Sequence, residues 1–153
     1  MTSLEVWRQN HWLKAITPTL AEITQLFAVV NREIEDASIP ELSVDGRFMH
    51  AYDAALNLCT IALRASGYAV VKGQGHHKKT IESLPLSMGS EYSDIADQIE
   101  IASRQRGQAM YDRTDVVEDA DASDLLQTAI QLRAALVDWL RKTNANLIPK
   151  GLQ

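Results

Sequence analysis

In the stretch SRQRGQAMYDR, residues 103–113, an arginine stands where an apolar residue is expected. Tyr92, Ile95, Ile99 and Ala102 lead up to it, and Ala109 and Met110 follow. At about 100° per helical residue, Arg106 falls in the middle of that stripe. A buried guanidinium is costly unless it meets a carboxylate, a polar cavity, a subunit interface or a ligand. The same placement also fits a core-edge arginine whose apolar stem packs while its head reaches water or an acid. Tyr111 lies five residues on, roughly 140° round a straight helix. The two share a site only through the long arginine arm, a helix ending near Tyr111, or a facing subunit. Arg104, seven residues before Tyr111, shares its face better. Tyr111 also reads as an interface aromatic with a hydrogen-bonded hydroxyl.

Two further polar features carry possible chemistry. His50, Asp53, Asn57 and Arg64, with Thr60 alongside, draw one narrow line down an otherwise apolar segment. His50 and Asp53, at i and i+3, could orient one another, and a polar seam on a central helix can line a cleft; a solvated face is the plainer reading. In GQGHHKKT, Gly73 and Gly75 permit unusual backbone shapes, and His76, His77, Lys78 and Lys79 gather positive charge. Such a cluster could hold a phosphate or could be an ordinary exposed loop. Two adjacent histidines fall short of a metal's usual ligand set.

The elements that must position these residues read as helical nearly throughout. Leu4, Trp7, His11 and Ala15 fall close to one face of a short first helix. Thr19 with Glu22 predicts a capping box, Pro18 tolerates a first-turn position, and Leu20, Ile23, Phe27, Val30 and Ile34 make the buried stripe that follows. Pro40 ends that helix. Asp45 is a good N-cap and Gly67 a good stop for a third helix, apolar over most of its circumference and therefore central. TIESLPLSMGS reads as one short helical turn interrupted by Pro85. A long helix is expected from about Ser90 to Arg113, then an acidic loop. Asp121 or Ser123 would cap a last helix with the stripe Leu125, Ala129, Leu132, Leu136 and Leu140. No strand pattern stands out. The expected fold is all-α: an antiparallel four-helix bundle with one or more short extra helices, spanning residues 1–144, with a tail at 145–153 that frays.

Composition bounds the function classes. The 153 residues suffice for one domain, and 46% hydrophobic with 23% charged residues is ordinary for a globular chain. A net charge of −5 argues against broad, non-specific capture of nucleic acid, though a local basic site stays open. The lone cysteine, Cys59, forms no intrachain disulfide and reads as a buried thiol. With no long apolar run and no secretory pattern, the expectation is a cytoplasmic protein away from the membrane.

The segments RFMHAYDAALNLCTIALRASGY, GQGHHKKTIESLP and RQRGQAMYD together resemble the HEPN family of small helical-bundle proteins. The likeness spans about residues 45–141. The family's short motif is an arginine, four intervening residues and a histidine; here the arginine falls on Arg106 and the histidine position on Tyr111. Gly107 takes the place often held by asparagine, and some branches carry tyrosine at the histidine position. The resemblance implies a four-helix bundle that dimerises with the two motifs facing each other. It also implies RNA as target: many members are metal-independent RNases, often toxins paired with a nucleotidyltransferase or another antitoxin. In such a site a 2′-hydroxyl attacks the neighbouring phosphodiester, the arginine stabilises developing charge and the histidine moves protons. A phenol, with a pKa near 10, is a poor base at neutral pH; His50, His76 or His77 would have to substitute.

The expectations are therefore an RNA-processing or RNA-binding protein, in one form a weak metal-independent endoribonuclease of a toxin–antitoxin or defence system. The alternative is a non-catalytic module that binds nucleotide, RNA or a partner protein, or a structural dimer. Arg106, Tyr111 and His50 are the candidate catalytic residues. Arg104, Asp53, His76, His77, Lys78 and Lys79 are the candidate substrate contacts. No cofactor and no metal are expected. The expected partners are a second copy of the chain, RNA or a nucleotide, and a cognate toxin, antitoxin or nucleotidyltransferase.

Overall fold

The computed structural model describes residues 2–73, 75–111 and 117–152, the side chains of residues 108–111 excepted. The chain is mostly α-helical. Four helices carry its length: α2 (Leu20–Ala37), α3 (Val44–Ala65), α6 (Ser93–Tyr111) and α7 (Asp119–Thr143). Three short ones, α1 (Leu4–Gln9), α4 (His76–Glu82) and α5 (Leu84–Met88), pack around them.

Helix α3 is the hub. Ten of its side chains are buried, among them Phe48, Tyr52, Leu58, Ile61 and Leu63, over somewhat more than half of its circumference. Helices α2 and α7 cover it most extensively, with α4, α5 and α6 closing the remaining sides. Each large apolar side chain taken fully out of water here contributes roughly 1.5–3 kcal/mol. Phe27 from α2, Ile99 from α6 and Leu132, Leu136 and Leu140 from α7 complete this core. Among the described residues, no helix is long and apolar enough to cross a membrane.

Local chemistry explains where the elements start and stop, and it departs from the sequence reading in several places. At the start of α2, Thr19 Oγ1 accepts from the Glu22 amide as expected, but the Glu22 carboxylate accepts from Arg64 Nη1 at 2.6 Å. Helix α3 is capped by Ser43, whose Oγ accepts from the Gly46 amide; Asp45 lies in the first turn, where its charge meets the positive helix end. Gly67, at φ +94°, stops α3 as expected. Glu118 and Asp121 close a reciprocal capping box at α7, so Asp121 caps from inside the helix and Ser123 plays no part in the cap.

The first helix is shorter than its apolar spacing predicts. It ends at Gln9, and His11 takes the left-handed conformation at φ 65°. The Trp12 amide then donates to Trp7 O and the His11 amide to Arg8 O, the paired bonds of a Schellman stop. Beyond it, Leu13–Ala15 forms β1, antiparallel to β2 (Tyr68–Val70), with Leu13 opposite Val70. Strands of three residues are too short to show an alternating pattern, which is why no strand was expected here. Pro85 does not interrupt a helical turn; it sits in the first turn of α5, where its missing N–H costs nothing. Ser90–Tyr92 is a separate 3₁₀ turn ahead of α6. The tail expected to fray forms two 3₁₀ turns, because Leu147 and Ile148 bury against the core and Arg141 Nη2 donates to Leu152 O.

Candidate functional site

Helices α3, α4 and α6 bring four polar side chains around one aromatic ring. The ring is Tyr52, on the buried stripe of α3 and fully excluded from water. Its hydroxyl donates to Ser103 Oγ of α6 at 3.2 Å and lies 3.5 Å from His77 Nδ1 of α4. One turn beyond Ser103, the Arg106 guanidinium carbon sits 5.3 Å from the centre of the same ring. Asp53, the next residue along α3, adds a carboxyl whose charge is felt by both His77 and Tyr52.

The packing dictates this meeting. Ile99 and Ala102 bury the stripe of α6 against the core, and Ser103 and Arg106, three residues apart, continue the same side of the helix. Gly75, at φ +80°, turns the chain into α4 in a conformation that favours glycine. Thr80 and Ile81 then bury in α4, which leaves His77 on the side that faces Tyr52. The His77 and Tyr52 ring centres are 6.3 Å apart.

Arg106 is half-buried, as its place in the stripe predicts. Its Nε is shielded from water and has no hydrogen-bond partner. Among the described residues, no carboxylate lies within salt-bridge distance of it, Asp53 included. Buried donors are rarely left unmade, because a lost bond costs about 1–3 kcal/mol. The face of Tyr52 supplies a partial substitute through cation–π attraction.

The charges of the cluster act on one another. Burial pushes the Asp53 carboxyl above the usual range; Arg106 opposes this, Glu33 adds to it, and His50 and His77 oppose it. His77 is exposed at the edge of the cluster, yet partial desolvation there holds its imidazole below its ordinary value, helped by the positive charges of Arg106 and His76 and opposed by Asp53. Burial raises the Tyr52 phenol, with Ser103 and Arg106 pulling the other way. The arrangement thus favours a neutral imidazole beside a fixed cation at neutral pH. With the phenol proton given to Ser103, the His77 Nδ1 proton can point to the Tyr52 oxygen. Nε2 then carries the lone pair.

The other expected site residues are placed differently. His50 does not orient Asp53. Its Nδ1 lies 2.6 Å from Glu33 Oε2 and 4.0 Å from Asp36 Oδ2, so the carboxylates of α2 hold it. Asn57 and Thr60 turn back to bond carbonyls on their own helix, and Arg64 pairs with Glu22. The polar line on α3 is therefore mostly an α2–α3 seam, from which only Asp53 reaches the cluster. Arg104 is exposed. His76 is exposed and meets the His77 ring edge-on at 6.1 Å between centres. Lys78 is exposed, while Lys79 Nζ stands 3.7 Å above the Trp12 ring. The Tyr111 side chain lies outside the described residues. Tyr52 and Ser103 were not among the expected site residues; a tyrosine hydroxyl on a buried stripe, needing a partner, was the available signal. Among the described residues, no group of three or more His, Cys, Asp or Glu side chains is arranged to hold a metal ion.

Compared with known protein families, curated proteins and solved structures, the chain matches none.

Proposed function

We propose that the chain is a HEPN-like four-helix bundle, built from α2, α3, α6 and α7, that binds RNA at the Tyr52–Asp53–His77–Ser103–Arg106 cluster and cleaves it slowly. The observation that carries this reading is the Arg106 guanidinium. It is held over Tyr52 beside His77, with a buried Nε that has no partner and, among the described residues, no acid within salt-bridge distance; Asp53 acts on it only from farther off. A phosphate supplies both the missing charge and the missing acceptors.

In this reading Arg106 binds the non-bridging oxygens of a phosphodiester. The 2′-oxygen attacks phosphorus while His77 Nε2 takes its proton. The bond from phosphorus to the 5′-oxygen then breaks, leaving a 2′,3′-cyclic phosphate and a 5′-hydroxyl. Tyr111 or water supplies the proton for that leaving oxygen. His77, from outside the arginine–tyrosine motif, takes the base role that a phenol fills poorly. A second copy facing the motif and a cognate antitoxin or nucleotidyltransferase belong to the same proposal.

A second reading, in which the module binds RNA or a nucleotide without cleaving it, is favoured by tyrosine at position 111 and by the net charge of −5. One experiment separates the two. End-labelled single-stranded RNA is incubated in EDTA with protein freed of contaminating nuclease. Cleavage to cyclic-phosphate ends, abolished in Arg106→Ala and His77→Asn, supports catalysis. Binding without cleavage, lost in Arg106→Ala, supports the second reading. RNA cleavage or binding that Arg106→Ala leaves unchanged overturns both.

A further inference from the structure

Beyond His77, the first turns of α4 carry a second feature, at Lys79, that cleavage chemistry does not use. His77 touches Tyr52, His76 packs edge-on against His77, and Lys79, one turn on from His76, lies over two indole rings. Its Nζ is 3.7 Å from the centre of Trp12 and 5.1 Å from that of Trp7. The two indoles meet edge-to-face with centres 5.7 Å apart. Trp7 is the buried member, anchored by its Nε1 donating to Thr2 Oγ1. Trp12 is the open one, 41% exposed, beside Val71 at 43%.

The Trp12 position is fixed by its backbone. Its amide closes the Schellman stop of α1, and its carbonyl accepts from the Val71 amide at 3.0 Å, extending the two-stranded sheet by one bond. The indole is part-exposed on a fixed backbone, and a cation already rests on its ring, so the position offers an aromatic face and a positive charge together. The cations around it are also concentrated. Four of the chain's six lysines, Lys14, Lys72, Lys78 and Lys79, lie on β1, just after β2, or on α4. Among the described residues none of the four forms an ion pair. In a chain of net charge −5, a part-exposed indole under an unpaired lysine, on elements that carry three further lysines, suits a ligand that is both flat and anionic. That ligand is an unstacked nucleobase with flanking phosphates.

We infer that Trp12 is a base-stacking subsite for single-stranded RNA: a nucleotide near the one held at Arg106 lays its base on the indole as the Lys79 ammonium swings off the ring to meet the adjoining phosphate. The inference rests on the RNA reading above and adds to it a second contact on α4, whose His77 faces Tyr52 and whose Lys79 faces Trp12. Base stacking on an aromatic side chain tolerates any sequence, so this subsite sets affinity and minimum length more than base identity.

The test measures binding of a fluorescein-labelled 12-nucleotide oligouridine in EDTA by anisotropy, for the wild type, Trp12→Ala, Trp12→Phe and Arg106→Ala. Trp12→Ala is expected to weaken binding roughly 5- to 100-fold, the range for loss of one base–aromatic stack. Trp12→Phe restores most of it, and a trinucleotide shows no difference between wild type and Trp12→Ala. As a readout without a mutant, 5-bromouracil-substituted oligouridine is photo-crosslinked to the wild type, and the adduct is expected on Trp12. Wild-type binding that Arg106→Ala weakens and Trp12→Ala does not, or crosslinks confined to other residues, overturns the subsite alone. Absence of RNA binding by the wild type overturns the RNA reading and the subsite with it. Trp12-dependent binding to phosphatidylserine vesicles with no Trp12 effect on RNA would assign the patch to an anionic membrane surface and overturn the inference.

Discussion

Replacing Arg106 by leucine should make the protein more stable and, at the same time, disable its site. The stem of Arg106 already packs on the side of α6 defined by Ile99 and Ala102, so a leucine retains most of that burial. The substitution removes a buried Nε–H with no partner, a group that costs about 1–3 kcal/mol. It also gives up the contact of the guanidinium with the Tyr52 face, worth roughly 0.5–1 kcal/mol. The difference is a net gain of about 0–2.5 kcal/mol. With a urea slope of about 2 kcal/mol/M for a chain of this size, the unfolding midpoint rises by up to roughly 1.2 M at unchanged slope. Binding to single-stranded RNA should fall at least about 10-fold, since bonds to charged groups are worth about 1.5–3 kcal/mol each. A leucine variant that loses stability by more than about 1 kcal/mol while binding RNA as before would refute the reasoning, for Arg106 would then be a packing residue.

The remaining predictions concern the groups around it. His77 is held below its ordinary value in the folded chain, so its contribution to stability is full above about pH 6.5 and is lost as pH falls from there through the folded pKa. Urea midpoints measured against pH should show that fall, and His77→Gln should flatten it. Asp53 is shifted the other way: its half-buried charge costs stability above the folded pKa, and the cost is relieved as pH falls through that value. Asp53→Asn should therefore stabilise the protein at pH 7 and lose the advantage in acid, read by thermal melting at both pH values. Tyr52→Phe leaves Ser103 Oγ and His77 Nδ1 without their shared partner and should cost about 1 kcal/mol in chemical denaturation without changing helix content by circular dichroism.

How much of this was written in the sequence depends on how far apart the interacting residues lie. Arg106 announced itself, because a charge that breaks an apolar stripe is a local signal and the burial of Ile99 and Ala102 fixes which side of α6 it takes. The hub role of α3 was equally plain, since apolar residues take up most of its circumference and leave only a narrow polar line. The partners of the polar line on α3 were not. Spacing of three residues matched His50 with Asp53, yet Glu33 of α2, 17 residues away, holds His50 at 2.6 Å. Tyr52 read as core and is core, but its hydroxyl also joins Ser103, 51 residues on, to His77, 25 residues on. The Lys79–Trp12 contact depends on a sheet whose strands have three residues each and on a left-handed His11, which no periodicity reveals. Helix-forming patterns are local; the surface that joins α3, α4 and α6 is assembled from long-range packing.

The most direct measurement is the ¹⁵N–¹H resonance of the Arg106 Nε–H during titration with a 2′-O-methyl oligouridine that cannot be cleaved. A guanidinium held for a phosphate predicts a saturable shift of that resonance, together with those of the His77 ring, at the same RNA concentration that saturates binding. Saturation of RNA binding with the Arg106 and His77 resonances unmoved would contradict the account.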